Sequence, residues 1–394
     1  MNEIIRRRAA GDVPYFIVLF VYLVIAVLQT SFYKGMLPSE SRLNAILLVL
    51  VLILCAREYL TGTIAPGSVL VLAAVLVIAA NALRIGTVWT AFPFLLIFFG
   101  RNVSMRRLFT FAAVVILGVL LFIILSGYAG VILNYKRVEV NRKNHREYLG
   151  FLYALYPGVF FFEVSALFLA AHGRRAPLIA YPALAAGAGF IFVKTDGRLS
   201  FILTLILIAF FLIARLFPAL VRALHPLFSL INPLWPACAL LSIFLTVTFN
   251  GSVRWMYRLN ALLGRRLEYG RQSLTRFGAG LLGRNVRWVG YGLNENGLPQ
   301  TGDYLYVDNM YVSFLQRYGI IAAALALVVI VCALAAMLRA RRYELLFIFL
   351  LLAVHGLIDD RILMLHYNIF WIAAAHAVGG RTREREDWDY ASIT

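Results

Sequence analysis

The residues in this chain best suited to chemistry are arginines gathered between two long apolar runs. Residues 250–309 carry Arg254, Arg258, Arg265, Arg266, Arg271, Arg276, Arg284 and Arg287 against Glu268, Glu295, Asp303 and Asp308. A guanidinium stays charged at any working pH and grips phosphate through a planar fork of N–H donors. Trp255, Tyr257, Tyr269, Trp288, Tyr291, Tyr304 and Tyr306 are interleaved with these cations. Aromatic rings of this kind either stack on sugars or anchor a segment at the lipid headgroups. The segment therefore reads as a binding surface for a phosphorylated glycan or as a seat on anionic lipid, and nucleic acid is not an expected partner.

Smaller constellations surround this one. Asp308-Asn309 closes the arginine-rich segment where the next apolar run begins. An acid there can cap a helix, or take a proton from a substrate hydroxyl at the membrane surface. Lys194-Thr195-Asp196-Gly197-Arg198 is a tight link in which Arg198 is either a site cation or the partner of Asp196 in a closed turn. The link 129–149 holds Lys136, Arg137, Arg142, Lys143 and Arg146 against Glu139 and Glu147. Gly278-Ala279-Gly280-Leu281-Leu282-Gly283 spells GxGxxG, but a dinucleotide fingerprint needs a strand before it; here a turn or close helix packing is expected. Glu163, His355, Asp359 and Asp360 fall within or at the ends of apolar runs. Ionisable groups at such depth face the interior of a bundle, as structural partners (Glu163 with Lys194, for one) or as a relay. Cys55, Cys238 and Cys332 stand singly with no CxxC spacing, and no HExxH, P-loop or acidic metal pair is present. Neither metal nor cofactor is expected.

The elements that must position these groups are membrane helices. Of 394 residues, 62% are hydrophobic and 14% charged, where a soluble domain has about a quarter charged. Crossing the hydrocarbon takes roughly 20 apolar residues. Runs at 13–33, 43–60, 64–83, 85–100, 108–128, 150–171, 176–193, 199–217, 229–249, 310–337, 343–358 and 362–378 qualify or nearly qualify. The fold class is an all-α polytopic membrane bundle of about twelve helices, with ten to thirteen admissible, and residues 1–394 form one transmembrane domain. The run 310–337 is long enough for its first turns to lie along the surface. The first run is too long for a signal peptide and lacks a small-residue cleavage site.

The formal net charge is +18. With a cytoplasmic N-terminus bearing Arg6, Arg7 and Arg8, the positive-inside bias accounts for Arg57, Arg101, Arg106, Arg107, Arg174, Arg175, Arg215, Arg222, Arg339, Arg341 and Arg342. The C-terminal Arg381, Arg383 and Arg385 then also lie inside. The link 129–149 and the loop 250–309 fall outside and break the bias, which suggests an anionic outer partner. No internal repeat is visible, which weighs against an inverted-repeat transporter.

In order along the chain, these features resemble the Wzy-type polysaccharide polymerases of the O-antigen polymerase/ligase superfamily. The resemblance runs through Leu262-Leu263-Gly264-Arg265-Arg266-Leu267 to Phe277-Gly278. It continues in Val307-Asp308-Asn309-Met310-Tyr311-Val312-Ser313-Phe314-Leu315 and Tyr318-Gly319-Ile320-Ile321. Arg146-Glu147-Tyr148-Leu149-Gly150-Phe151 and Thr195-Asp196-Gly197-Arg198 echo it, so that it spans residues 129–321, about half the chain. Where the family often has His-Pro-Asn after Gly-Phe, this chain reads Leu152-Tyr153-Ala154-Leu155-Tyr156-Pro157. Where the related ligases tend to have His-Asn, it has Asp308-Asn309.

The resemblance implies a multi-pass protein of the bacterial inner membrane with both termini cytoplasmic. It implies a metal-independent glycosyltransferase joining undecaprenyl-pyrophosphate-linked repeat units at the outer face, with a chain-length regulator and a flippase as candidate partners. On it, Asp308, Arg266 and Arg198 are the expected catalytic residues, and Arg146, Arg265, Arg284 and Asn309 the expected substrate-binding ones. A lipid-linked glycan flippase and an O-antigen ligase are the competing readings.

Overall fold

The computed structural model describes residues 2–61, 64–137 and 146–380, with the backbone alone for residues 2–11. Glu139, Arg142 and Lys143 of the basic link and the C-terminal Arg381, Arg383 and Arg385 lie outside the described residues, as do the side chains of Arg6, Arg7 and Arg8. The first eight helices are α1 Asn2–Leu28, α2 Glu40–Thr61, α3 Pro66–Ile85, α4 Val88–Phe99, α5 Met105–Tyr128, α6 Tyr156–His172, α7 Ala180–Thr195 and α8 Arg198–Leu216. After them come α9 Pro218–Ala223, α10 His225–Phe228 and α11 Ile231–Thr248, then α12 Arg254–Leu262 and α13 Arg266–Phe277 within the arginine-rich loop. The chain closes with α14 Met310–Arg339, α15 Tyr343–Gly356 and α16 Phe370–Gly379.

Each expected apolar run holds a helix, but the lengths differ from expectation. Among the described residues, six segments are long and apolar enough to cross a membrane: α2, α3, α5, α8, α10 with α11, and α14. The described apolar parts of α1, α15 and α16 are shorter, and α4 has only 12 residues. Residues 361–367 of the last run form two 3-10 turns instead of α-helix. Their local backbone is held by side chains: the Glu163 carboxylate accepts the Ile369 amide at 2.7 Å, and the Trp371 indole donates to the Ile362 carbonyl at 2.8 Å. Glu163 therefore braces a helix start and does not pair with Lys194, which binds Glu147 at 3.2 Å.

The bundle is a membrane protein by its surface as well as its core. Val114, Leu121, Phe122 and Leu125 of α5 are exposed, as are Leu240, Leu241 and Phe244 of α11. Apolar stripes of this extent on a described exterior match lipid and not water. The polar links separate into two sets at opposite ends. At one end Arg57 and Arg107 meet Asp12, Arg101 binds Glu58, and Tyr343 meets His225. At the other, Lys34 meets Glu295, Arg84 donates to the Gly283 carbonyl, and the Leu293 amide donates to Leu152.

Helix α14 is two helices joined at a kink. Gly319 sits at φ 89° and ψ 170°, a region open to glycine alone, and the helical hydrogen-bond ladder breaks there. The extended segment 278–284 supplies the missing acceptors: the Ile320 amide donates to Gly280 at 3.0 Å and Ile321 to Leu281 at 3.2 Å. In return the Arg284 amide donates to Gln316, and the Gln316 side chain donates to the Gly278 carbonyl. A side chain on Gly283 would strike the Arg317 carbonyl, and one on Gly319 would strike the 281–283 backbone. The GxGxxG spacing thus serves close backbone packing.

Candidate functional site

The loop end of the bundle gathers a polar cluster, called the basin below, from several pieces of chain. The first is the turn between α12 and α13, where Gly264 (φ 62°) and Arg265 (φ 66°) are both left-handed. Glu268 holds Arg265 through two hydrogen bonds of 2.9 and 2.7 Å. The turn starts α13 at Arg266, whose guanidinium donates to the carbonyls of Ile358 (2.9 Å) and Leu263 (2.8 Å). Its remaining nitrogen, Nη2, lies 3.9 Å from Asp308 Oδ2.

Asn309, not Asp308, caps α14. Its Oδ1 accepts the amides of Tyr311 and Val312, both at 3.1 Å. Its Nδ2 donates to Ser242 Oγ and to the Leu357 carbonyl, both at 2.9 Å. Asn309 is 7% exposed, and both ends of its side-chain amide are engaged within the fold. The neighbouring Asp308 keeps its carboxylate at the edge of the basin, 28% exposed.

The link after α15 supplies the rest. Asp359 accepts from Arg361 Nε at 2.8 Å, from the Arg361 amide at 2.9 Å and from Arg361 Nη2 at 2.7 Å, with His355 Nε2 at 3.3 Å. Asp360 accepts the Tyr306 hydroxyl at 3.2 Å and that of Ser313 at 3.4 Å, and lies 3.7 Å from Arg317. Arg317 in turn lies over Trp288, 4.4 Å from the ring centre. Arg361 lies 5.4 and 5.8 Å from the ring centres of Tyr153 and Tyr156.

These three acids are pushed apart electrostatically. Burial and then the nearby Asp360 charge raise Asp308 to about 7, outweighing Arg266 and Arg361. Burial also raises Asp360, with Arg317 opposing and Asp359 adding to the rise. Burial would raise Asp359 too, but Arg361 and His355 override it and hold that carboxyl well below the usual range. A fixed anion beside a carboxyl poised near neutrality is the arrangement from which acid and base roles are assigned.

The other expected residues are more scattered. Arg146 and Arg198 share Asp196, at 3.5 and 3.2 Å, and Arg198 is 72% exposed. Asp196 is left-handed at φ 52°, so the closed turn is formed. Arg284 is exposed and lies beside Gly278 and Gly280. Arg317, Arg361 and Tyr153 carry no expected role in the sequence, and Tyr306 is there only one of the loop aromatics. The consecutive charges Asp359-Asp360-Arg361 between two apolar runs were the signal that could have found part of this set.

Below the polar layer lies an apolar crevice of about 140 Å³, lined by Ile78, Trp235, Met310, Phe314, Leu363 and Trp371 among others. Met310 and Leu363 follow Asp308 and Arg361 by two residues, so crevice and basin are built on the same turns of chain. Compared with protein-family models, curated proteins and solved structures, the chain has no match in any of the three.

Proposed function

We propose that this chain is a metal-independent glycosyltransferase that polymerises undecaprenyl-pyrophosphate-linked oligosaccharide repeat units at the outer face of the bacterial inner membrane. In this reading the basin faces outward, both termini are cytoplasmic, and a flippase and a chain-length regulator work alongside. The observation that carries it is Asp308: a carboxyl brought to about 7, 3.9 Å from Arg266, above a crevice suited to hydrocarbon. A general base works best with a pKa near the operating pH.

The chemistry follows from those positions. An acceptor sugar hydroxyl gives its proton to Asp308 while its oxygen bonds to the anomeric carbon of the donor. The bond from that carbon to the phosphate oxygen breaks, and the polyprenyl pyrophosphate leaves with the electron pair. Arginines fixed before the reaction meet the charge that develops on the leaving oxygen without reorganising. The prenyl chains keep both substrates in the membrane layer, so encounter is confined to a surface. Asp308 where the ligases tend to have histidine favours polymerase over ligase.

The test is glycan length in membranes of cells carrying Asp308→Asn at the wild-type protein level. Removing a general base lowers the rate by about a hundredfold or more, so long polymer should give way to single repeat units on the outside. In wild-type membranes the rate should fall as pH drops below about 7, where Asp308 becomes protonated. Undiminished long polymer in the variant would leave Asp308 without this role, and repeat units trapped inside would point to a flippase.

A further inference from the structure

Two of the arginines in the α12–α13 turn are engaged by their own neighbours. Arg265 is bound by Glu268 through two nitrogens, and Arg266 directs Nε and Nη1 to backbone carbonyls. Arg198 is exposed and held by Asp196, and an ion pair in water offers little binding strength.

Arg361 differs. Asp359 takes Nε and Nη2 in a fork, His355 steadies Asp359 from behind, and the guanidinium is 14% exposed. Its third nitrogen, Nη1, is buried and has no hydrogen-bond partner among the described residues. A buried cationic N–H left unmet is costly, and the group that meets it best is an anionic oxygen. The turn that carries Arg361 cannot easily adjust, because Trp371 and Asn368 both donate to the Ile362 carbonyl and Glu163 holds Ile369. The nitrogen is therefore presented in a fixed direction.

A second observation selects the kind of anion. Leu363, in the same turn as Arg361, lines the apolar crevice, together with Met310, Phe314 and Trp371. Tyr153 and Tyr156 stand beside the guanidinium and keep water from it. The apolar lining thus begins two residues from Arg361, which places space for a hydrocarbon tail next to a phosphate held at Nη1. We propose that Arg361, oriented by Asp359, is the principal phosphate anchor of the basin, and that its ligand is the phosphate ester of a polyprenyl carrier.

This rests on the reading above only for the identity of the carrier, and it is tested by binding, without any glycosyl transfer. Purified wild-type protein in neutral detergent should bind farnesyl pyrophosphate at least tenfold more tightly than farnesol. Arg361→Lys cannot serve Asp359 and the ligand at once, and should lose that preference while still binding farnesol. The double variant Asp359→Asn with Arg361→Gln removes both charges together, which avoids a stranded buried ion, and should behave the same way. Tyr153→Leu, at a half-buried position, should weaken farnesyl pyrophosphate several-fold without changing farnesol.

Retained tenfold preference in any variant that still binds farnesol would overturn the assignment. So would unchanged affinity in Tyr153→Leu, or no preference in the wild type. Dioleoyl phosphatidic acid competing as well as farnesyl pyrophosphate would overturn the carrier as the source of the phosphate. A protein that binds in this way yet makes no polymer would instead count against the proposed transfer reaction, and leave the Arg361 assignment standing.

Discussion

At the scale of single residues, the basin is a study in acids given different tasks by their surroundings. Asp359 faces Arg361 and His355 and stays ionised, while Asp308 is lifted to about 7 by burial and then by the Asp360 charge. That lift has a consequence for stability. Unfolded, a carboxyl of this type titrates near 3.8, so between about pH 4 and 7 the folded chain keeps a proton that the unfolded chain has released. Stability falls as pH rises through that window, and above it the ionised Asp308 remains a burden on the fold. Asp308→Asn should therefore melt above wild type at pH 8 and match it at pH 4, by thermal unfolding in detergent. A lower melting temperature at pH 8 would make Asp308 a structural residue. A site residue that lowers the stability of its own scaffold is the usual trade between activity and stability.

Residue identity was legible in the sequence, but residue engagement was not. The letters show that Arg265, Arg266, Arg284 and Arg198 are cations beside an anchored acid, and Arg266 does meet Asp308. Whether a guanidinium is already held depends on contacts across the fold, such as the Ile358 carbonyl that takes Arg266. The Asp196–Arg198 turn was legible from spacing, and so in principle was the Arg265–Glu268 pair, three residues apart across the start of α13. Arg361 escaped notice because a short charged link between apolar runs looks like solvent-facing connection until Asp359 and two tyrosines enclose it.

At the scale of elements, hydropathy located the helices because burial in lipid demands long apolar runs. It could not locate where a helix breaks. Tyr318-Gly319-Ile320-Ile321 reads as continuous helix, and the break depends on a partner segment some forty residues earlier in the chain. The same applies to 362–378, where the late start of α16, at its N-cap Ile369, is braced by Glu163 of α6. Gly319→Ala tests the first of these. The backbone at φ 89°, ψ 170° excludes a side chain, and a Cβ would press on the 281–283 backbone. The substitution should cost about 1–3 kcal/mol, read as a lower melting temperature in detergent. Stability equal to wild type would show that 278–284 can be displaced without penalty.

At the scale of the whole molecule, the polar links divide between two ends separated by an apolar belt. Arg57, Arg101 and Arg107 gather with Asp12 and Glu58 at one end, and the arginine-rich loop occupies the other. The proposed orientation follows from that division and the positive-inside bias. It can be read with single cysteines in a background free of Cys55, Cys238 and Cys332. In intact spheroplasts a membrane-impermeant maleimide should label Tyr291→Cys and leave Arg175→Cys untouched until the membrane is opened. The reverse pattern would put the basin in the cytoplasm and end the case for outer-face polymerisation.

The joint at Gly319 also governs how this end of the protein can move. The carbonyls of residues 280 and 281 accept from amides of a membrane helix, and Arg84 of α3 clasps Gly283, so that stretch is spliced into the bundle like a dowel. It cannot lift away without unravelling its host. Any opening wide enough for a bulky occupant must therefore come from either side of the dowel, through α12 and α13 ahead of it or residues 289–303 behind it.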